Sequence, residues 1–105
     1  MVNFYETIII FTPVLSEEQI NNTYIEYKDY LNNNNIEILK NENWGMKKLE
    51  YKINNKKNGF YYYLIYKSPS NFIIELQKKI LQDERVIRFL IIKMNKHAIN
   101  YLLNK

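Results

Sequence analysis

The stretch Leu49-Glu-Tyr-Lys-Ile-Asn-Asn-Lys-Lys-Asn-Gly-Phe-Tyr-Tyr-Tyr-Leu-Ile-Tyr-Lys67 predicts two antiparallel strands joined by a tight turn. In its first part, apolar residues alternate with charged ones, as in a strand with one buried face. The expected core face comprises Leu49, Tyr51 and Ile53, and the opposite face comprises Lys48, Glu50 and Lys52. Asn58 and Gly59 both tolerate a positive φ, which makes this pair a strong hairpin signal. Residues 60–67 are therefore predicted to form the second strand.

A strand and a helix are predicted upstream of this hairpin. Apart from Glu6, residues 4–11 are β-branched or aromatic, and the run is stopped at Pro13, which cannot donate to a sheet. Ser16 and Gln19 have the spacing of a capping box, so a helix is expected to begin there. The apolar stripe of this helix comprises Ile20, Tyr24, Tyr27 and Leu31. The asparagine run 32–35 is expected to end it.

A long strand, a second helix and a final strand are predicted in the rest of the chain. Residues 36–53 predict a long strand with a bulge or bend near Gly45, since isolated glycines in strands often mark such positions. Ser68 is the expected N-cap of a second helix, with Pro69 at its first position. Its apolar stripe comprises Phe72, Ile73, Leu76 and Ile80. Residues 86–94 predict a final strand.

The order of these elements is β-α-β-β-α-β, which predicts an α+β, ferredoxin-like fold. Right-handed crossovers would place both helices on one face of a four-stranded antiparallel sheet and leave the other face open. A chain of 105 residues suits one domain. We expect that domain to span residues 1–94. The tail 95–105 is expected to form one short amphipathic turn through Ile99, Leu102 and Leu103.

Composition narrows the class of protein. The chain has a net charge of +4 and no cysteine, so neither a disulfide framework nor a thiolate site is expected. No stretch approaches the roughly 20 apolar residues needed to span a bilayer. We therefore expect a cytoplasmic protein that is neither exported nor bound to a membrane. A moderately basic chain favours a polyanionic partner without proving one.

The sequence predicts neither a catalytic nor a metal-binding site. His97 is the one histidine and has no cysteine or acidic pair at ligand spacing. The two glycines, Gly45 and Gly59, are too far apart for a phosphate-binding loop. An enzyme of the acylphosphatase type would need an arginine after the first strand, and residues 12–15 contain none. We therefore expect no enzymatic activity, no cofactor and no small-molecule substrate.

Positive charge is concentrated in and around the predicted hairpin. The candidate RNA-binding residues are Lys47, Lys48, Lys52, Lys56, Lys57, Arg88 and Lys93. The first three lie on the second strand, the next two in the expected hairpin loop, and the last two on the final strand. Lysines beside the tyrosines 61–63 combine phosphate neutralisation with base stacking, as RNA-binding sheets do. Alternate residues of 60–66 must be core, however, and loop lysines are often merely solvated, so both interpretations remain open.

The segment Gly45-Met-Lys-Lys-Leu-Glu-Tyr-Lys-Ile-Asn54 resembles the signature of the ribosomal protein S6 family of the bacterial small (30S) subunit. That signature has a glycine, a variable position, two mainly basic or polar residues, Leu, a small residue, Tyr, a variable position and Ile. Further matching residues are Tyr5-Glu6, Pro13, Asn58-Gly59-Phe60-Tyr61, Pro69, Asp83-Glu84-Arg85-Val86-Ile87-Arg88 and Lys93. The resemblance covers residues 4–94 in the family's order.

This resemblance implies a structural role in translation. A member of the family would bind the central domain of small-subunit ribosomal RNA together with ribosomal protein S18, as a heterodimer, during assembly of the subunit. The RNA contact would be electrostatic and shape-based, with lysine and arginine neutralising phosphates. The resemblance implies neither a catalytic residue nor a cofactor.

One alternative shares the βαββαβ order, namely a single-strand RNA binder of the RNA-recognition-motif type. Its third strand should read basic, Gly, aromatic, small, aromatic. The corresponding segment 58–62 reads Asn-Gly-Phe-Tyr-Tyr and departs from that pattern at the basic and small positions.

Overall fold

The computed structural model describes residues 2–53 and 55–104, within which the chain forms four strands and three helices. These are β1 (Val2–Phe11), α1 (Glu17–Asn33), β2 (Glu37–Ile53), β3 (Lys56–Pro69), α2 (Ser70–Leu81), β4 (Val86–Lys93) and α3 (Lys96–Leu103). The strands form one antiparallel sheet in the order β2-β3-β1-β4. The predicted ferredoxin-like fold is confirmed, with a helix added after β4.

Strand β1 is central because both its neighbours and the helices pack on it. The side chains of Tyr5, Ile9 and Phe11 are buried on the face that carries α1 and α2. The Phe11 ring lies 5.6 Å from that of Tyr27 on α1. A hydrogen bond of 2.8 Å joins the Thr7 and Tyr66 hydroxyls. The buried Tyr66 hydroxyl is therefore satisfied within the core.

Helix α1 begins as its sequence predicts. The Ser16 hydroxyl accepts from the Gln19 amide at 3.1 Å, and the Gln19 side chain accepts from the Ser16 amide at 2.8 Å. This reciprocal pair satisfies two donors that the first turn would otherwise leave unpaired. The helix ends in the predicted asparagine run, where Asn35 has a positive φ of 60°.

The start of helix α2 differs from the prediction. Ser68 is not the N-cap, because it is the buried penultimate residue of β3 and its hydroxyl donates to the Pro69 carbonyl at 2.8 Å. Pro69 itself occupies the N-cap position, and no side chain of the described residues caps it. Strand β3 therefore continues two residues beyond the predicted 60–67, and Ser68 faces the core beside Tyr66.

The predicted turn at Asn58 and Gly59 is wrong. Both residues lie within β3, where they pair with Lys48 and Lys47 of β2. The positive φ at this end of the hairpin belongs to Asn55, at 65°. Gly59 serves a different purpose, because a Cβ built there would overlap Ile10 Cγ2 and lie 3.1 Å from the Phe11 carbonyl oxygen. A glycine is therefore needed at position 59 because β3 approaches β1 closely there, and not because the chain turns.

The sheet face opposite α1 and α2, here called the outer face, is only partly open. The tail forms the eight-residue helix α3, which is longer than the single turn predicted. Ala98 and Leu102 of α3 line a cavity together with Tyr63 and Ile65 of the outer face. The prediction of a fully open face is therefore wrong at this end, while none of the described side chains of α3 is fully buried.

A polar cluster ties α1 to the start of β4. Arg85 donates to both carboxylate oxygens of Asp83, to the Glu26 carboxylate, and to the Thr23 hydroxyl at 3.1 Å. The Tyr27 hydroxyl also donates to Asp83, at 2.7 Å. We call these residues the Arg85 cluster. Asp83 is therefore a structural acceptor, with a side chain only 9% exposed.

Candidate nucleic-acid interface

The β2–β3 hairpin extends beyond the rest of the sheet. Pairing between β1 and β3 ends at Phe11 and Phe60, whereas β3 continues to pair with β2 through Gly59 and Asn58. Within the described residues, this end of the hairpin has no further strand beside it. We call residues 46–59 the basic hairpin, because they contain five lysines and a single carboxylate, Glu50. Its polar surface is therefore presented on both sides.

The structure brings five of the seven candidate residues together in the basic hairpin. Lys47, Lys48, Lys52 and Lys57 are exposed, and Lys56 is half-buried. None of the five forms an ion pair with another residue of the described ranges. Lys56 and Lys57 lie at the start of β3 and not in a loop, which corrects their predicted location. Their positive charge is therefore not neutralised by a carboxylate of the described chain.

Lys47 and Lys48 are both exposed although they are adjacent on one strand. Lys47 lies opposite Gly59 on the outer face, so Lys48 lies on the side of the helices. The helices do not cover this part of β2, as shown by Met46, which is 47% exposed. A projecting hairpin thus lets consecutive lysines reach solvent on opposite faces.

Arg88 and Lys93 lie on β4, at the opposite edge of the sheet. Arg88 pairs with Ile10 and faces the outer side, where it lines a cavity of about 350 Å³ together with Glu50 and Tyr51 of the basic hairpin. Lys93 pairs with Tyr5 and so faces the helix side at the far end of β4. Arg88 therefore belongs to the surface that includes the basic hairpin, whereas Lys93 is separate from it.

The tip of β2 does not alternate as predicted. The register shifts between Lys48 and Ile53, so the strand bulges there. Leu49 is buried at 6% exposure, but Tyr51 is 73% exposed. Both residues line the cavity beside Arg88. The prediction of a common core face for Leu49 and Tyr51 is therefore wrong, and a large aromatic side chain joins the charged surface.

A second bulge lies between Asn43 and Gly45, and Trp44 at this point faces the outer side, where its ring meets that of Tyr63. The bulge predicted near Gly45 is confirmed, and its cause is the positive φ of 77°. Space is not limiting, because apart from the chain neighbours no described heavy atom lies within 4 Å of a Cβ built at Gly45. The earlier register shift, between Ile38 and Lys40, changes which face the side chains of β2 point to, so alternation along the sequence could not place Trp44.

Trp44 forms a stack with two tyrosines of β3, and we call these three residues the aromatic strip. The Trp44 ring lies 4.8 Å from that of Tyr63, with 17° between their planes, and 6.4 Å from that of Tyr61, with 19°. Tyr62, between the two tyrosines, is core at 1% exposure. The tyrosine run thus divides as its alternation requires, with two rings outside and one inside.

Carboxylates and ammonium groups surround the aromatic strip. The Trp44 indole donates to Glu42 at 3.1 Å, and Glu42 pairs with Lys40 at 3.8 Å. The Tyr63 hydroxyl donates to Glu6. Burial and the hydrogen bond to Glu6 raise the pKa of Tyr63, so this phenol remains a proton donor at neutral pH. Sequence patterns missed Trp44 and Lys40, and the adjacency of Trp44 to Gly45 was the one available signal.

The described residues contain no group of three or more histidine and acidic side chains that could hold a metal ion. In the same ranges, the helices are too short or too polar to cross a bilayer.

Comparisons with known proteins agree with this geometry. The family model for ribosomal protein S6 matches residues 4–93. A small ribosomal subunit protein bS6 from Flavobacterium psychrophilum is 41% identical over 100 residues, which is 95% of this chain and 88% of the relative. The bS6 protein of Azobacteroides pseudotrichonymphae is 43% identical over 104 residues, covering 99% and 93%. The crystal structure of 30S ribosomal protein S6 from Thermotoga maritima superposes with a TM-score of 0.88, covers 99% of this chain and 98% of that one, and shares 21% sequence identity.

Proposed function

This chain belongs to the ribosomal protein S6 family, and on that premise we propose that it binds the central domain of small-subunit ribosomal RNA through the basic hairpin, together with ribosomal protein S18. Family membership identifies it as a structural small-subunit ribosomal protein and favours this proposal over the RNA-recognition-motif alternative. The proposed role is non-enzymatic, requires no cofactor, and is carried out on the cytoplasmic ribosome.

The main support for this proposal is that the lysines of the basic hairpin have no carboxylate partner among the described residues. Exposed ammonium groups without carboxylate partners attract a polyanion and release its counterions on binding. Arg88 extends the same surface from β4 across the cavity. Lys52 and Lys56 add charge near the hairpin tip, while Lys93 would contact RNA from a separate side.

The proposed protein partner needs an apolar surface, and β4 supplies one. Leu90 and Ile92 point to the outer face and are 54% and 44% exposed. Strand β4 is also an edge strand, so one side of its backbone has no pairing partner within the sheet. Exposed apolar side chains beside a free strand edge suit a protein partner better than they suit RNA. We propose that ribosomal protein S18 covers this part of β4.

The RNA contact is tested by replacing Lys47, Lys48, Lys56 and Lys57 together with alanine. With the partner protein present, binding to a central-domain rRNA fragment should weaken, and the slope of log K against log salt should flatten by about 0.7 to 0.9 for each phosphate that is no longer neutralised. Thermal stability should change little, since these are surface charges without ion pairs.

A matched control carries the same change in charge elsewhere. Lys28, Lys67, Lys78 and Lys96 are exposed and lie outside the basic hairpin. Their joint replacement by alanine should leave the salt slope near that of the unmodified protein. If the two quadruple variants bind equally well, net charge accounts for the affinity and the basic hairpin is not the RNA site.

A further inference from the structure

The aromatic strip is held in place by its own polar contacts. Trp44 follows Asn43, which pairs with the buried Tyr62, so the Trp44 side chain points to the outer face, and the hydrogen bond to Glu42 fixes the rotation of the indole ring. The bond from Tyr63 to Glu6 fixes the neighbouring ring in the same way. A stacking platform that is already ordered loses little conformational entropy when a ligand binds to it. This arrangement is therefore suited to binding a flat ligand.

Positive charge lies over the faces of two of these rings. The Lys47 ammonium is 5.8 Å from the Trp44 ring centroid, and the Lys40 ammonium is 6.0 Å from that of Tyr63. Lys47 also belongs to the basic hairpin, so the aromatic strip continues the charged surface without a break. Trp44 is 39% exposed, which leaves part of its indole open to solvent.

We propose that the aromatic strip binds an unpaired nucleotide of the RNA, with the base stacking against the exposed part of Trp44 and the adjoining phosphate neutralised by Lys47. This inference rests on the proposed RNA contact of the basic hairpin and assigns a second kind of contact to it. The ligand is a single-stranded nucleotide, because a paired base is already stacked within its helix and presents no free face.

The local charges favour a nucleotide over a basic protein segment. Both carboxylates nearest to Trp44 and Tyr63 are engaged, since Glu42 pairs with Lys40 and accepts from the indole while Glu6 accepts from Tyr63. Lys47, by contrast, has no ion-pair partner among the described residues, and the adjacent Lys48 is also unpaired. An aromatic surface next to free cations is complementary to a base and its phosphate.

Trp44 provides its own reporter, because it is the one tryptophan in the chain. Titration of the full chain with a short single-stranded oligoadenylate should quench its fluorescence in a saturable way. The same strand paired with oligouridylate should bind through the lysines and cause much less quenching. Unchanged fluorescence at saturating single-stranded RNA, with binding followed independently by anisotropy of labelled RNA, would overturn the proposal.

Substitutions separate stacking from charge. Trp44→Leu should weaken binding of the single strand by about 5- to 100-fold, as expected for loss of one stacked base, and leave binding of the duplex unchanged. Trp44→Phe retains a ring and should restore most of the affinity, which guards against a merely structural effect of the leucine variant. Equal affinity of Trp44→Leu and the unmodified protein for the single strand would contradict base stacking.

The outcomes for the two proposals are distinct. If the quadruple lysine variant loses affinity while the Trp44 variants bind normally, the basic hairpin binds RNA and the stacking inference fails alone. If the lysine variant binds both RNA forms with the wild-type salt slope, the proposed function itself fails. Quenching of Trp44 by ribosomal protein S18 in the absence of RNA, without quenching by oligoadenylate, would assign the aromatic strip to the protein partner and overturn the inference.

Discussion

The Arg85 cluster and the basic hairpin use positive charge in opposite ways. Arg85 donates hydrogen bonds to Asp83, Glu26 and Thr23, so its guanidinium is largely satisfied within the fold. The lysines of the basic hairpin have no carboxylate partner among the described residues. A cation of the first kind stabilises the protein and has little left to offer an anion, whereas one of the second kind contributes little to the fold and remains available.

The same contrast separates the two arginines of the chain. They are three residues apart, yet Arg85 is partly buried among acceptors and Arg88 is exposed on the outer face. The difference in exposure follows from where each arginine lies relative to β4. Arg85 precedes the strand, so its side chain can turn back towards α1, whereas Arg88 is held in the sheet opposite Ile10. Residue type alone therefore does not reveal whether a cation is structural or available for binding.

Arg85→Ala is expected to have the largest effect on stability. It leaves the Asp83 carboxylate, 9% exposed, without its charged donor, which should lower the free energy of unfolding by about 3 kcal/mol. Arg88→Ala is the matched control, and for that exposed residue the change should stay within about 0.5 kcal/mol. Urea unfolding followed by circular dichroism measures both. Equal losses in the two variants would remove the distinction between the arginines.

Gly59→Ala tests whether the close approach of β3 to β1 at Gly59 is needed for the stability of the protein. The added methyl would overlap Ile10 Cγ2 and crowd the Phe11 carbonyl, so we expect a loss of about 1 to 3 kcal/mol in the free energy of unfolding. The comparison is Gly45→Ala, which meets no steric obstacle but must adopt a φ of 77° and should cost about 1 kcal/mol. A larger loss at Gly45 than at Gly59 would contradict the close-approach argument.

Acid titration should distinguish the Arg85 cluster from the basic hairpin. Burial alone would raise the pKa of Asp83, but hydrogen bonds from Arg85 and Tyr27 hold it below its ordinary value of 3.8. A pKa depressed by folding means that this carboxylate stabilises the protein fully above pH 3.8 and that the contribution is lost as pH falls through the folded-state pKa.

Asp83→Asn should therefore be less stable than the unmodified protein at neutral pH, by about 1 kcal/mol, and should show a shallower loss of stability below pH 3.8. The quadruple lysine variant should retain the wild-type acid profile. Parallel curves for Asp83→Asn and the unmodified protein between neutral pH and pH 2 would show that Asp83 does not carry the acid sensitivity.

Removal of residues 95–105 should have the smallest effect on stability. Helix α3 has no fully buried described side chain, so its loss should change the free energy of unfolding by about 1 kcal/mol or less. The boundary between a 1–94 domain and a 95–105 tail stays a prediction, and this truncation tests it. Loss of cooperative unfolding in the shortened chain would show that the tail is part of the domain.

Patterns that depend on near neighbours were predictable from the sequence. The capping box at Ser16 and the apolar stripe of α1 each involve contacts within a few residues, and both appear in the structure as expected. The βαββαβ order of the ferredoxin-like fold followed from these local elements, and the placement of both helices on one face followed from the chirality of their connections. The lysines of the basic hairpin were likewise identified from their density along the chain.

Features that depend on distant residues were not predictable. Gly59 has the local signature of a turn, but its requirement comes from Ile10, which is remote in sequence. The position of Trp44 depends on the register shift between Ile38 and Lys40, and one such shift changes the face of every side chain beyond it. Asp83 likewise resembled a solvated acid, because its donors Tyr27 and Arg85 meet only in the folded chain.

The free edge of β4 affects how the chain behaves before it is incorporated into the ribosomal subunit. An unpaired strand edge flanked by exposed Leu90 and Ile92 can recruit a second copy as readily as a correct partner. Arg88 and Lys93 are the charges on that strand, and like charges on two approaching copies repel each other. These two charges therefore oppose pairing between copies at this edge, and we expect copies to associate more readily when the chain is overproduced without its partners.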